Sequence, residues 1–167
     1  MEINVLIQRI KLKYTTLSEN KNWGERGLFY NPQGQFSKGA YVLTFKEKDG
    51  KNDAASNLNQ SDKYRLNLKI SKETFLKLFK SVPKRPAAGE VIEGGYDFKE
   101  LDKLMPHPVY GWMTWICVLK PTLKTIELME TEGLFEEAYR AAVATIDKKL
   151  KAKNARSKVP LKVVVFR

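Results

Sequence analysis

The feature that most constrains the fold of this chain is a short run in which apolar and polar residues strictly alternate. Within it, Tyr64, Leu66, Leu68 and Ile70 are separated by Arg65, Asn67 and Lys69. Successive side chains of a β-strand point to opposite faces of a sheet, so the run predicts a strand with one apolar and one polar face. Such a strand requires a sheet that other elements cover on one side.

Helical segments before and after this strand can supply the cover. The apolar residues Ile3, Leu6, Ile7, Ile10 and Tyr14 recur at the spacing of one helix face and predict a first helix. Ser71 can cap a second helix that Pro83 ends, and Thr122 can cap a later helical region. A long helix is predicted from about residue 134 to residue 153. Asp97 and Glu100 have the spacing of a capping box, which predicts a short helical turn over residues 98–104.

Further strands are predicted on both sides of the alternating run. Residues 23–30 and 41–45 are β-rich and are separated by the turn sequence NPQGQ, so they predict a hairpin. Residues 109–119 predict an aromatic-rich strand interrupted at Gly111, and residues 163–166 (VVVF) predict a short C-terminal strand or an adhesive tail. The resulting order is one helix, three strands, one helix, one or two strands and a last helix. It indicates a two-layer α+β fold with helices on an antiparallel sheet.

The composition fits one soluble globular domain. Hydrophobic residues make up 43% of the 167 residues and charged residues 29%, which is an ordinary globular balance. Cys117 is the only cysteine, which excludes an intramolecular disulfide and a multi-cysteine zinc site and fits a reducing cytoplasm. No secretion signal and no run of roughly 20 apolar residues is present, so we expect a cytoplasmic protein with no membrane partner.

The net charge of +11 is concentrated at the C-terminus. Residues 148–167 contain eight Lys or Arg and no acid, whereas residues 1–147 contain 22 basic and 19 acidic residues. We therefore predict a single domain over residues 1–147 and a basic extension over residues 148–167. Nucleic acid is a candidate partner of the extension through Lys148, Lys149, Lys151, Lys153, Arg156 and Lys158. The alternative is a solvated helix end, where lysines complement the helix dipole.

His107 is the only histidine and lies between Pro106 and Pro108. One interpretation is that the prolines fix an extended bend in which the imidazole bonds to nearby backbone. The other is an acid or base in a small-molecule enzyme, with Tyr110 or Asp102 nearby. A single histidine argues against a metal site, and no glycine-rich phosphate loop is present, so the sequence predicts no metal and no cofactor.

Candidate ligand-binding residues lie on the strands. Arg65 and Asn67 share the polar face of their strand, where the Arg65 guanidinium could bind a phosphate or a carboxylate through two parallel hydrogen bonds. Trp112 and Trp115 are three residues apart, so on a strand they should face opposite sides, and the one outside the core could stack on a planar ligand. The alternatives are a solvated sheet face and an edge aromatic packed by a helix.

Several long strings resemble a bacterial family of domains of unknown function, over roughly residues 1–147. They are GERGLFYNP (24–32), YVLTFKEKDGKNDAASNL (41–58), YRLN (64–67), KRPAAGEV (84–91) and YDFKELDKLMPHPVYGWMTWICVLKP (96–121). More distantly, the chain is similar to the MmcQ/YjbR group, whose topology resembles that of secretion chaperones, α-β(3)-α-β(2)-α. That group is described as DNA-binding-like by analogy, and the resemblance brings no catalytic motif.

These observations predict a non-enzymatic cytoplasmic binding module for an anionic or planar ligand, with nucleic acid among the candidates. Its candidate ligand-binding residues are Arg65, Asn67, His107, Tyr110, Trp112 and Trp115. A small-molecule enzyme using His107 and a protein-interaction scaffold are the alternatives. A small ligand is compatible with each, and the sequence favours no oligomeric state.

Overall fold

The computed structural model describes residues 1–22, 24–60 and 62–157. In chain order its elements are α1 (Ile3–Lys13), β1 (Leu17–Asn22), β2 (Glu25–Tyr30), β3 (Ala40–Lys46), β4 (Arg65–Lys69), α2 (Lys72–Phe79), β5 (Leu104–Pro106), β6 (Trp115–Leu119), α3 (Leu123–Thr131) and α4 (Leu134–Ser157). The fold is α+β, as the sequence predicted. The predicted tail strand at residues 163–166 lies outside the described residues.

The strands form one open sheet in the order β1-β2-β3-β4-β6-β5, and each neighbouring pair is antiparallel. The alternating run forms β4, which lies inside the sheet between β3 and β6. Its two faces differ as expected. Leu66 and Leu68 are fully buried in the main hydrophobic core, whereas Arg65 and Asn67 lie on the opposite face.

The helices cover the apolar face of the sheet. Their buried side chains join those of the strands in one core, contributed by α1 (Leu6, Ile10), α2 (Phe75), α3 (Ile126, Met129) and α4 (Phe135, Ala138, Ala142, Ile146). Ser71 and Thr122 cap α2 and α3, as predicted, by accepting the backbone N–H of Thr74 and Thr125. The opposite face of the sheet carries a smaller apolar cluster of Ile92, Phe98, Met105 and Cys117.

The observed order of elements departs from the predicted order, and the YjbR-like arrangement is not confirmed. Four strands, not three, precede α2, because the polar segment Leu17–Asn22 pairs along β2 as an edge strand. Its exposed side chains carry no alternating pattern, so its pairing is not visible in the sequence. Two helices, α3 and α4, follow the last described strand, and Gly133 in the left-handed region separates them.

Two local predictions were wrong. The structure has no helical turn over residues 98–104. A non-helical turn begins there, in which the Asp97 side chain accepts the backbone N–H of Lys99, and Leu104–Pro106 forms β5. The predicted strand over residues 109–119 begins only at Trp115, because residues 107–114 fold into a tight turn that contains the 3-10 segment Gly111–Met113. The Asx turn and the β5–β6 connection both depend on local hydrogen bonds that compete with regular structure.

Among the described residues, no helix combines the length and the apolar character that are needed to cross a bilayer.

Candidate ligand pocket

The buried guanidinium of Arg65 is the centre of the polar face of the sheet. The side chain is 1% exposed. Its Nε donates to Asn67 Oδ1 at 2.8 Å, and its Nη1 donates to Asp53 Oδ1 and Ser56 Oγ, each at 3.0 Å. Nη2 donates to Asp53 Oδ2 and also lies 3.1 Å from His107 Nε2. Such a buried cation requires an opposite charge and hydrogen bonds in fixed positions, and Asp53 supplies the charge as a two-point partner.

Asp53 reaches Arg65 from the loop between β3 and β4. The loop is held by reciprocal backbone hydrogen bonds between Gly50 and Asp53, at 3.0 and 3.1 Å. Farther along, the carboxylate of Asp49 accepts the backbone N–H groups of Leu58 and Asn59. The loop is therefore an ordered structure that places a carboxylate over the sheet.

His107 lies directly after β5 and is fixed by its own backbone. Its N–H donates to the carbonyl of Trp115 at 2.8 Å, and its carbonyl accepts the N–H of Gly111 at 2.8 Å. Gly111 leaves space in this turn, because a Cβ there would lie 2.9 Å from Ile92 Cδ1 and 3.1 Å from Pro106 Cβ, and both neighbours would have to shift. The imidazole is 3% exposed.

The contacts of the imidazole determine which nitrogen carries its proton. Nδ1 lies 3.1 Å from the backbone nitrogens of both Val109 and Tyr110, and a backbone N–H can only donate. Arg65 Nη2, which faces Nε2, can also only donate, so both ring nitrogens meet donors and a neutral ring can accept at only one of them. Nδ1, which two backbone donors face, is assigned as the acceptor, and Nε2, which one donor faces, is assigned the proton. The assignment follows from the hydrogen-bond network.

The charge state of His107 follows from its surroundings. Burial is the largest cause of a pKa of His107 that lies well below 6.5, and the positive charges of Arg65 and Lys46 lower the pKa further. The ring is therefore neutral at pH 7 and acts as a hydrogen-bond donor through Nε2. Its nearest carboxylate oxygen, Asp53 Oδ2, is 4.0 Å away.

Two donors consequently face each other. Arg65 has five N–H groups, and four of them are accounted for by Asn67, Ser56 and the two oxygens of Asp53. The remaining N–H of Nη2 faces the Nε2–H of His107 across 3.1 Å. With the proton on Nε2, neither of these two hydrogens has an acceptor within hydrogen-bonding distance among the described residues. One oxygen atom beside both nitrogens would satisfy them together.

A cavity of about 400 Å³ opens next to these groups. This volume falls at the lower end of the range for small-molecule sites, roughly 300–1,000 Å³. Its charged and polar lining consists of Glu25, Thr44, Lys46, Asn52, Asp53, Arg65, Asn67 and His107, and its aromatic lining consists of Tyr41, Tyr110 and Trp115. The chain therefore offers a concave site with a few converging polar groups and aromatic walls.

The structure brings five of the six predicted ligand-binding residues to this cavity: Arg65, Asn67, His107, Tyr110 and Trp115. The Tyr110 and His107 rings are 5.0 Å apart between centroids, and the Trp115 ring meets His107 edge-on at 6.5 Å. Trp112 does not line the cavity. It lies in the 3-10 turn, not on a strand, and the guanidinium of Arg85 stacks over its ring at 5.0 Å. Ligand binding by these residues stays a prediction.

Two other residues considered in the sequence, Asp102 and Cys117, do not line the cavity. Asp102 does not approach His107, because its carboxylate accepts the backbone N–H and the hydroxyl of Thr122 at the start of α3. Cys117 is buried, its thiol donates to the carbonyl of Pro106, and burial raises its pKa to about 12. The thiol therefore has little thiolate character at neutral pH.

The basic residues of the C-terminal segment belong to α4 up to Ser157. The helix continues without a break across residue 147, and Ile146 and Leu150 pack against the main core. Lys148, Lys149, Lys151 and Lys153 are exposed on this helix, and Lys149 Nζ lies 5.9 Å from the centre of the Phe36 ring. Of the remaining predicted residues, Arg156 belongs to the last turn of α4 and Lys158 lies outside the described residues.

Sequence reasoning did not identify the residues that the neighbouring strands and the loop contribute to the cavity. They are Glu25, Tyr41, Thr44, Lys46, Asn52 and Asp53. Strand register places Lys46 beside Arg65 and Thr44 beside Asn67, and Asn67 donates to the Thr44 hydroxyl at 3.1 Å. Register is set by the turn and by packing, so these neighbours follow only from the paired strands. Among the described residues, no cluster of three or more His, Cys, Asp or Glu side chains is positioned to hold a metal ion.

Comparison with known proteins gave one result. No match was found among curated proteins or among solved structures. The model of a family of unknown function, DUF6194, matches residues 1–151. This match covers all the elements that form the cavity, and the chain belongs to the DUF6194 family.

Proposed function

We propose that the protein is a binding module for a small molecule that carries a carboxylate, phosphate or similar oxygen. The observation that carries this proposal is the pair of buried donors, Arg65 Nη2–H and His107 Nε2–H, that face each other beside the cavity. A ligand oxygen placed beside both nitrogens, about 2.9 Å from each, would accept from both. The ammonium group of Lys46, which lines the same cavity, would add attraction for a negatively charged ligand.

Binding is favoured over acid–base catalysis because of the state of His107. A general base needs a free nitrogen lone pair, but Nδ1 accepts two backbone N–H groups and Nε2 already carries the proton. A general acid needs a pKa near the working pH, and the pKa of His107 lies well below its usual value. A neutral imidazole in this state is suited to polarise or hold an oxygen atom.

The structure favours a small ligand over nucleic acid at this face. The guanidinium of Arg65 is buried beside a concave cavity and paired with Asp53, so it is out of reach of a nucleic-acid backbone, whereas a small ligand that enters the cavity can meet its remaining N–H. Nucleic-acid binding through the exposed lysines of α4 stays a separate prediction, as do the cytoplasmic location and the similarity to the YjbR group.

A suitable test uses the fact that the chain has one histidine. In the 15N-labelled protein, the imidazole gives one set of signals, which can be followed by NMR during titration with benzoate and with phenyl phosphate. We expect saturable movement of the His107 Nε2–H signal and of the Trp115 indole signal, with dissociation constants of about 1 mM or lower. The Trp112 indole, which does not line the cavity, serves as the internal reference.

The matched variant is His107→Asn. An Asn side chain can keep an oxygen acceptor for the Val109 and Tyr110 N–H groups while it removes the Nε2–H donor. The variant should keep the fold and bind both probes at least about tenfold more weakly. Equal binding by the variant, or no response of His107 and Trp115 beyond that of Trp112, would overturn the proposal.

A further inference from the structure

The charges around the cavity balance one another. Glu25 and Asp53 supply two negative charges, Lys46 and Arg65 supply two positive charges, and His107 is neutral. A ligand with a single negative charge would therefore meet no excess of positive charge. A ligand that carries one group of each sign would match the lining better, provided that one carboxylate is available to its positive group.

Glu25 is that carboxylate. It lies on β2 directly opposite Lys46 on β3, where an ion pair across the strands would be ordinary. Lys46 instead extends toward the loop: its Nζ lies 3.9 Å from Asp53 Oδ2 and 3.4 Å from the position that a Cβ on Gly50 would take. Within the described part of the chain, Glu25 forms no hydrogen bond through its side chain and no ion pair within 4.0 Å, although it lines the cavity.

The sheet sets the separation between the two binding positions. Glu25 pairs with Lys46, and Lys46 pairs with Arg65, so Glu25 and Arg65 lie two strands apart on the same face. Two strand spacings amount to roughly 10 Å between backbones. The two binding positions are therefore separate on the sheet. One ligand can use both only if it carries its positive group and its acceptor oxygen at different ends.

Resting on the proposed function, we infer that the ligand is a zwitterion whose carboxylate and ammonium groups lie at opposite ends. Its carboxylate lies beside both Arg65 Nη2 and His107 Nε2, and its ammonium group donates to Glu25. The rings of Tyr110 and Trp115 line the cavity and offer apolar contact to a side chain of the ligand. Lys38 attracts Glu25 without an ion pair within 4.0 Å, so the Glu25 carboxylate keeps its hydrogen-bonding capacity. This assignment gives the Glu25 carboxylate and the two facing donors one common ligand.

The inference is tested with three probes that differ at one end. Glycyl-L-tryptophan has both charges, N-acetyl-L-tryptophan lacks only the ammonium group, and glycyl-L-tryptophan amide lacks only the carboxylate. Isothermal titration should show glycyl-L-tryptophan binding at least about tenfold more tightly than either analogue. The Glu25→Gln variant should lose this preference over N-acetyl-L-tryptophan and bind the acetylated probe no more weakly than the natural chain does. Glu90→Gln, at an exposed position, is the matched control.

The outcomes separate this inference from the proposed function. If N-acetyl-L-tryptophan binds the natural chain as tightly as the dipeptide, or if Glu25→Gln preserves the preference, the zwitterion is refuted while an oxygen-binding cavity stands. If benzoate binds at His107 but neither glycyl-L-tryptophan nor its analogues bind, the zwitterion is refuted while the oxygen-binding cavity stands. If benzoate and phenyl phosphate also fail, the proposed function falls as well.

Discussion

Protonation of the single histidine should make the folding stability depend on pH in a window where few other groups titrate. His107 is neutral in the fold because burial and the charges of Arg65 and Lys46 lower its pKa, whereas in the unfolded chain it titrates near 6.5. Below that pH the unfolded state binds one proton more than the native state, so stability is lost as the pH falls. Above it both states are neutral, and this contribution is constant.

The magnitude follows from one proton. At one pH unit below 6.5, the unfolded chain gains RT ln 11, which is about 1.4 kcal/mol, and at one unit above the gain is about 0.1 kcal/mol. The free energy of unfolding should therefore fall by about 1.4 kcal/mol between about pH 7.5 and about pH 5.5 from His107 alone. The ionisation of carboxylates adds little there, because their ordinary pKa values lie near 4.

Urea denaturation at several pH values, followed by circular dichroism, measures this difference. His107→Asn is the control: its absolute stability can differ, but the His107 contribution to the slope disappears. NMR titration of the imidazole should show it neutral in the native chain across the same range. Equal pH slopes in the two proteins, or protonation of the native imidazole near pH 6.5, would refute the burial and charge argument for His107.

Two further perturbations test other parts of the structure. Asp53→Asn removes the carboxylate that pairs with the 1% exposed Arg65, so thermal or urea unfolding should show a loss of about 3 kcal/mol, against little change for the exposed control Asp62→Asn. A loss below about 0.5 kcal/mol would contradict the pairing. If α4 binds DNA, substitution of Lys148 and Lys151 by Gln should lower the slope of log affinity against log salt by up to about 2, measured by fluorescence anisotropy. An unchanged slope would exclude these lysines, and substitution is preferable to truncation after residue 147, which would remove Leu150 from the core.

The parts of the fold that could be predicted are the elements whose structure is encoded by a local sequence pattern. The alternation in β4, the apolar spacing in α1 and the caps Ser71 and Thr122 each depend on a few neighbouring residues, and the structure agrees with each. β1 could not be predicted, because an exposed edge strand needs only backbone pairing and carries no apolar face. Residues 109–114 were wrongly placed on a strand, because the local bonds to the His107 side chain and carbonyl override their β propensity.

The site could be predicted only in part, and the reason lies in the strand that gave the clearest signal. Alternation placed Arg65 and Asn67 on one face, but it could not say whether that face meets solvent or a covering loop. If the interior position of β4 had been known, Arg65 could have been predicted to be buried. A buried guanidinium needs a carboxylate partner, so a covering loop with an acidic residue would then have been expected. Residues 47–58 of the polar loop between β3 and β4 contain three carboxylates, Glu47, Asp49 and Asp53. Glu47 pairs with Arg26 and Asp49 accepts N–H groups of the loop backbone, which leaves Asp53 for Arg65. The missing step was therefore the position of β4 within the sheet, which depends on the long-range pairing with β6.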